Sequence, residues 1–577
     1  MPNSNNSVDG GELVAKTLHH AGVTKVFALH GGHLESFYRG CAQHQLELVD
    51  FRHEASAGHA AEAYARVTGQ IGVCAITAGP GFANALPAIL NAFVDASPTL
   101  FLIGAPPLRE KETNELQGGF DQLAIAKSSA KWAVSITNVE RTPDLLAAAI
   151  RRATTGRRGP VVVEVPIDVL HMITPADRVT QPSGLSVHPR PAPSRQELAD
   201  LRTKLLAAKR PAIIVGGDAR YSDCEAVLAK FSERAGIPVF ASKRGLGILP
   251  DTHPCDAHDA TNLGLLASSG SPRPDLVILA GTRMGLFLGG SGFGVLPEDA
   301  QLVQIYSDPS EIGRIRDVDL AISADVGSAI EGLDDATAED QWPDWTTWRD
   351  LAVDQKNKRA EVFPDPESAG GIHPFHAMAE VAAVAGPEAV YAIDGGEAGQ
   401  WAVQHAHTDG PGRVITTGYF GGLGVGPGFA IGAQVAAPDR RVVLVAGDGS
   451  FGFHLQELDI MVHNGFPIVT IVLNNEIWGM SLHGQEIMYG KGYNAISKLG
   501  GRNYADIARA FGCHAERVTS FTELRPALQR AFDSGTAACV EIMTDPEVVS
   551  PGLIAMLGDV DSDTPQVVVP YYENIPL

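Results

Sequence analysis

Short apolar runs alternate along this chain with Ala-rich stretches patterned at helical spacing, and that alternation leaves few folds open. Residues 11–21 (GELVAKTLHHA) read as a helix, and Lys25–His30 follows as a short strand ending at Gly31-Gly32. Ser56–Val67 reads as a helix and Ile71–Thr77 as a buried strand, after which Ala78-Gly79-Pro80-Gly81 opens another Ala-rich helix. Further strands are expected at Thr99–Gly104 and Val161–Val165, then at Ala212–Gly216, Pro238–Ala241, Leu276–Ala280 and Leu302–Ile305. A last set lies at Ala389–Ile393, Val442–Ala446 and Ile468–Leu473. Continuous apolar strands separated by helices argue for parallel sheets covered on both faces. The fold class is α/β, with three doubly wound parallel-sheet domains at 1–180, 195–350 and 370–558. The Pro-rich stretch Gln181–Ser194 reads as a linker, and the second block fades into the charged segment Asp334–Ala369. Residues 559–577 form a C-terminal tail.

Length and charge narrow the function classes. A chain of 577 residues has room for about three to four domains. Its 44 basic and 67 acidic residues give a net charge of −23, which disfavours nucleic-acid backbones and anionic membranes as partners. An anionic cofactor stays open, because local backbone N–H groups can hold a phosphate against the global field. Six single cysteines lack the spacing of a zinc site or a disulfide framework. The polar start MPNSNNSVDGG and the lack of an apolar run of about 18 residues point to a cytoplasmic protein without signal peptide or membrane span.

The strongest chemical signal is in the third block. RVVLVAGDGS ends in Gly447-Asp448-Gly449-Ser450, and 24 residues, Ser450 through Leu473, lead to Asn474-Asn475 at the end of a second apolar strand. Both ends fall on the carboxyl edge of a parallel sheet, where open α/β folds bind ligands. Asp448 offers a carboxylate oxygen, Asn475 an amide oxygen, and small residues leave room for a diphosphate, a set suited to Mg²⁺. Either dipeptide alone reads as an ordinary turn. The pair at this spacing does not.

With this pair the chain resembles the thiamine-diphosphate-dependent enzymes of the acetolactate synthase superfamily, and the three blocks match their pyrimidine-binding, central and diphosphate-binding domains. The resemblance implies that Asp448, Asn475 and the carbonyl of Ile477 hold Mg²⁺. It implies that Gly449 and Ser450 cradle the diphosphate, with Gly447, Trp478, Gly479 and Thr77 also on the cofactor. Glu54, in VDFRHEASAGHAAEAYAR, takes the place of the glutamate that bonds the cofactor pyrimidine and promotes loss of the thiazolium proton. Carboxyl groups in apolar surroundings suit such proton work. In GYFGGLGVGPG, Leu423 stands as the wedge beneath the two rings and Gly421 as the carbonyl facing the 4′-amine. Superfamily members pair these domains across subunits, so at least a homodimer is implied, and a homotetramer, a dimer of dimers, is common for the resemblance.

Within the superfamily, LHGGH, RHEASAGHAAE, ETNELQGGFDQ, AKWA and NNEIWGMSLH are most similar to benzaldehyde lyase, which cleaves and forms 2-hydroxy ketones from aldehydes. By that likeness His33 shuttles the substrate hydroxyl proton and Gln117 steadies the developing alkoxide. His30 is read as structural. Gly32 borders the substrate pocket. Ile167, Gly399 and Thr417 replace aromatic or imidazole groups, and Met480 replaces a small residue, so the pocket is expected to be wider on one wall and narrower near Met480. The tail, with Tyr571, Tyr572 and Pro576, is expected to fold over the entrance as a lid. The alternatives are a 2-hydroxyacyl-CoA lyase, an acetolactate synthase and a non-catalytic cofactor-binding subunit. LHGGH argues against the first and the intact Glu54, Asp448 and Asn475 against the last. GTRMGLFLGGSGFG in the central block lacks the GxGxxG dinucleotide fingerprint.

Overall fold

Three six-stranded sheets, every neighbouring pair parallel, organise the chain. The computed structural model describes residues 7–185, 189–290, 293–553, 566–567 and 575–576. In space the first sheet runs Glu47–Asp50, Lys25–Ala28, Gly72–Ile76, Thr99–Ala105, Val161–Pro166, Trp132–Ser135. Numbered along the chain within the sheet, that order is 2-1-3-4-6-5. The third sheet repeats it with Val414–Thr416, Val390–Asp394, Val442–Gly447, Val469–Asn474, Ala538–Met543 and His514–Val518. The central sheet differs: Asp256–Asp259, Val239–Ala241, Pro211–Val215, Leu276–Ala280, Gln301–Tyr306 and Leu320–Ser323 give the order 3-2-1-4-5-6.

The chain divides into two compact units. One holds residues through Pro189 together with Thr417–Asp439 and His454–Phe466; the other holds Arg190–Thr416, Arg440–Phe453 and the chain from Pro467 onward. In the N-terminal unit, helix Glu54–Thr68 starts where His53 Nδ1 accepts the Ala55 N–H at 3.1 Å and stops at Gly69, whose φ of 77° suits glycine. Its small residues admit helix Gly426–Ala436 at backbone distance: a Cβ on Gly428 would lie 2.6 Å from the Ser56 carbonyl. The Glu457 carboxylate accepts the Arg52 N–H at 3.2 Å and Asp459 accepts from Arg52 Nε at 2.7 Å, which ties segment 454–466 to the residues just before Glu54.

The expected apolar strands all exist, and the ones the sequence reading passes over are mostly the outer ones. ELVD, WAVS, DAHD, LAIS, VIT and HAERV lie at the edges of the three sheets. An edge strand needs less apolar surface, so a search for apolar runs passes over it. The missed inner strand, Ala538–Met543, is interrupted by the buried Glu541. The charged segment Asp334–Ala369 corrects the sequence reading more strongly, for it contains the 17-residue helix Thr346–Val362. Trp345 and Trp348 anchor its start through indole N–H bonds to the carbonyls of Ala208 and Pro211. Ser56–Val67 begins two residues earlier than read, so Glu54 is the first residue of the helix itself. His30, read as structural, is an exposed partner of Glu35 at 2.9 Å. The six cysteines are buried and free. No helix among the described residues is long and apolar enough to cross a membrane. Tyr571 and Tyr572, read as a lid, lie outside the described residues; Pro576 belongs to a two-residue strand pairing Gln566–Val567.

Candidate functional site

The carboxyl ends of the first sheet gather four of the sequence-derived site residues. His33 lies in the single turn Gly32–Leu34, just past strand Lys25–Ala28. Its Nδ1 is 3.2 Å from Thr77 Oγ1, and Thr77 Oγ1 donates to Gln117 Oε1 at 3.4 Å. The hydroxyl has one proton, which this arrangement commits to Gln117. Its oxygen therefore accepts from His33 Nδ1–H, leaving Nε2 as a free base. Burial pushes the His33 imidazole below its ordinary value, so it is neutral at pH 7. Glu54 is buried and its Oε2 accepts from Asn84 Nδ2 at 3.0 Å. Gly81 lies between Glu54 and Thr77: a Cβ there would be 2.9 Å from Thr77 Cγ2 and 3.6 Å from Glu54 Oε1.

Glycines make this gathering sterically feasible. A Cβ on Gly104 would meet His33 Cβ at 2.7 Å, one on Gly79 would meet the Gln117 carbonyl at 2.8 Å, and one on Gly31 would collide with Thr77. Gly79 has φ +63° and Gln117 itself +54°, an uncommon conformation for a side chain that is not glycine. The sequence reading missed these supports. It also missed Gln122, whose Nε2 donates to the Gly104 carbonyl at 2.8 Å and to Glu164 at 2.9 Å while its Oε1 accepts the Gly79 N–H at 3.3 Å.

The second cluster lies at the carboxyl ends of the third sheet. Strands Val442–Gly447 and Val469–Asn474 are neighbours with Gly447 opposite Leu473, so Asp448 and Asn475 leave the same edge. Asp448 is 3 % exposed, and burial pushes its carboxyl up to about 7 against the pull of backbone N–H groups of Asp448, Gly449 and Glu476. A buried carboxyl of this kind is relieved by a cation beside it. Its carbonyl accepts from Tyr504 at 2.9 Å, a support absent from the sequence reading. Adjacent asparagines point opposite ways, as a strand end dictates. Asn474 is buried and donates to Glu541 at 2.7 Å, whereas Asn475 is half-buried and its Oδ1 accepts the Ile477 N–H at 3.3 Å. Ser450 donates to the Gly447 carbonyl at 3.1 Å. A Cβ on Gly449 would strike the Trp478 ring, and one on Gly479 the Glu397 carboxylate, so both positions require glycine. Carboxylate, amide and carbonyl oxygens of Asp448, Asn475 and Ile477, beside glycine backbone, are a donor set that fits Mg²⁺ with a diphosphate.

The remaining sequence-derived residues divide between the units. Gly32, Ile167, Thr417, Gly421 and Leu423 belong to the N-terminal unit. Gly32 and Gly421 have open space where a Cβ would go, and Ile167 opens the short helix after strand Val161–Pro166. Gly399 and Met480 belong to the second unit. Gly399 is buried within helix Glu397–Val403, where a Cβ would lie 3.5 Å from Ile393, and Met480 packs over Gly396. The same unit holds an unforeseen network. His483 Nδ1 meets Glu397 Oε2 at 2.8 Å and His483 Nε2 the Pro546 carbonyl at 2.8 Å, while Glu397 Oε1 accepts the Ser550 N–H at 2.8 Å.

Three family models match the chain. Residues 8–125 match the thiamine pyrophosphate enzyme N-terminal TPP binding domain, 198–333 the central domain, and 394–542 the C-terminal TPP binding domain. The chain is 33% identical over 560 residues to an acetolactate synthase large subunit of Mycobacterium tuberculosis, covering 94% of this chain and 97% of the relative. It is 30% identical to an acetolactate synthase large subunit of Corynebacterium glutamicum, covering 90% of this chain and 84% of the relative. It is 29% identical to a 2-hydroxyacyl-CoA lyase of Arabidopsis thaliana, covering 94% and 96%.

Proposed function

The chain belongs to the thiamine-diphosphate-dependent enzymes of the acetolactate synthase superfamily, and from that premise we propose that it is a carbon–carbon lyase and carboligase of the benzaldehyde lyase type. Its cofactor is thiamine diphosphate, with Mg²⁺ the usual partner metal of the family. Its substrates in this reading are 2-hydroxy ketones, which it cleaves to aldehydes, and aldehydes, which it joins.

Thiamine diphosphate supplies a nucleophilic carbon and an electron sink for breaking the bond beside a carbonyl. The chain's own residues bind, orient and move protons. Asp448, Asn475 and the Ile477 carbonyl hold Mg²⁺, and Gly447, Gly449, Ser450, Trp478 and Gly479 give the diphosphate backbone N–H groups and room. Glu54 bonds the pyrimidine ring, with Thr77, Gly421 and Leu423 beside the cofactor. His33 Nε2 takes the substrate hydroxyl proton. Gln117 donates its amide N–H to the oxygen on which charge collects. Gly32, Ile167, Gly399, Thr417 and Met480 shape the pocket. In this reading the two cofactor-binding domains would pair across copies of the chain, so the enzyme is a homo-oligomer, at least a dimer.

The observation that carries this reading is the hydrogen-bonded set His33–Thr77–Gln117, a neutral base and an uncharged donor suited to moving one proton at a carbonyl. A second reading, acetolactate formation from pyruvate, draws on the names of the Mycobacterium and Corynebacterium relatives. Incubation with thiamine diphosphate, Mg²⁺ and benzaldehyde separates the two. Benzoin of one hand, lost on chelating Mg²⁺, is the expected product. Acetolactate from pyruvate with no benzoin would overturn the first reading in favour of the second.

A further inference from the structure

Besides the Asp448 cluster, the second unit draws together three side chains that no step above uses. Asp251 lies in the loop before edge strand Asp256–Asp259 of the central sheet, and His258 lies in that strand. His407 lies in the loop between helix Glu397–Val403 and edge strand Val414–Thr416 of the third sheet. Their ligand atoms all lie within 4.8 Å of one another, with His258 buried and the other two half-buried. An Asp251 carboxylate oxygen pairs with His407 Nδ1, and the rings of His258 and His407 have centroids 5.0 Å apart.

The backbone brings these loops together independently of the side chains. The Asp251 N–H donates to the Thr408 carbonyl at 3.4 Å, and a Cβ on Gly247 would lie 2.5 Å from the Gly410 carbonyl. Lys356, the cation beside this region, is engaged by the Asp256 carboxylate at 3.1 Å and the Asp251 carbonyl at 3.0 Å. Tyr391 is fully buried, its hydroxyl has no hydrogen-bond partner among the described residues, and the Asp251 charge reaches it.

We propose that Asp251, His258 and His407 form a binding site for a divalent transition-metal ion of the Zn²⁺ class, separate from the Mg²⁺ site at Asp448. The two imidazoles are borderline donors that, with one carboxylate, favour Zn²⁺ or Co²⁺ over Mg²⁺, which wants oxygen ligands alone. Metal–ligand bonds of about 2.0–2.2 Å require the ligand atoms to lie closer together than their widest spacing here, an adjustment within reach of side-chain rotation. Three protein ligands leave a fourth position for water. The ion joins the edge strand of one sheet to the loop feeding the edge strand of another. Its effect is therefore on stability and not on the carbonyl chemistry.

The test uses the full chain in an Asp448→Ala background, stripped with chelator and free of thiamine diphosphate, so that the Mg²⁺ site cannot contribute. Titration with Co²⁺ alone is expected to give visible d–d absorption saturating at about one ion per chain, and Zn²⁺ to be retained through dialysis at the same ratio and to raise the melting temperature. His258→Gln and His407→Gln, made singly and checked for native circular dichroism, are each expected to lose the absorption, the retained Zn²⁺ and the thermal shift. If one variant does not fold, the other and Asp251→Asn carry the comparison. No retained ion in the parent, or an unchanged stoichiometry in the folded variants, overturns the proposal.

Discussion

The first and third sheets share one strand order, yet the chemistry at their carboxyl ends is opposite. The first brings together a neutral imidazole and a carboxamide linked through the Thr77 hydroxyl, with the Glu54 carboxyl held by Asn84. The third ends in a buried carboxyl and a half-buried amide oxygen beside glycines. In the proposed reading, equal topology carries unequal tasks. One edge would handle protons, and the other would hold Mg²⁺ and a diphosphate. The central sheet, with the order 3-2-1-4-5-6, carries neither set.

That division predicts its largest effect from two single substitutions. Glu54→Gln is expected to lower turnover by about 10²–10⁴-fold while Mg²⁺-dependent cofactor binding, read by calorimetry, stays within a few-fold of the parent. Asp448→Asn is expected to do the reverse, removing cofactor binding at ordinary Mg²⁺ concentrations. If both variants lose binding equally, the two edges do not divide the work as described.

A smaller effect separates two buried carboxyls that burial pushes up to about 7, Asp448 and Glu457. The first faces a proposed cation site; the second accepts the Arg52 N–H within the N-terminal unit. An acid whose folded value lies above its unfolded one favours the folded state at low pH, and that contribution is lost as pH rises through the folded value. For Glu457 the window runs from its ordinary 4.5 to about 7 and amounts to about 3 kcal/mol. Glu457→Gln is expected to flatten the fall in melting temperature between pH 5 and pH 8, with or without Mg²⁺. A fall of unchanged size in the variant would assign the pH dependence to other groups.

How much of this was readable in advance follows from where each signal sits. The inner strands are read because they are buried on both faces and must be apolar, whereas ELVD and DAHD escape because an edge tolerates charge. The Gly447–Ser450 and Asn474–Asn475 pair is legible because two neighbouring apolar strands end in small and polar residues at a fixed spacing. His33, Thr77 and Gln117 come from three separate strand ends, and only the resemblance linked them. Their supports stayed hidden for a physical reason. Gly31, Gly79 and Gly104 matter through contacts with Thr77, Gln117 and His33, 38 to 71 residues away in sequence, and a glycine carries no mark of what passes over it. Gln122 and Tyr504 likewise act on backbone carbonyls that any residue could present. Helix Thr346–Val362 was missed because two tryptophans, and not an apolar stripe, anchor it.

The smallest effect tests whether the proton-handling edge works as one unit. Thr77→Val removes the hydroxyl joining His33 to Gln117 and is expected to lower turnover by about tenfold, the worth of one or two hydrogen bonds in a sheltered site. Thr77→Ser, which keeps the hydroxyl, is expected to stay within a few-fold. Because burial holds the His33 imidazole below 6.5, its base form persists through neutral pH. The rate in the parent therefore rises with pH only up to that lowered value and is flat above it. In His33→Ala that acid limb disappears. If Thr77 acts by fixing which imidazole nitrogen carries the proton, adding Thr77→Val to His33→Ala costs nothing further. If the two losses instead multiply, the residues act independently and the bond between them does not set the base.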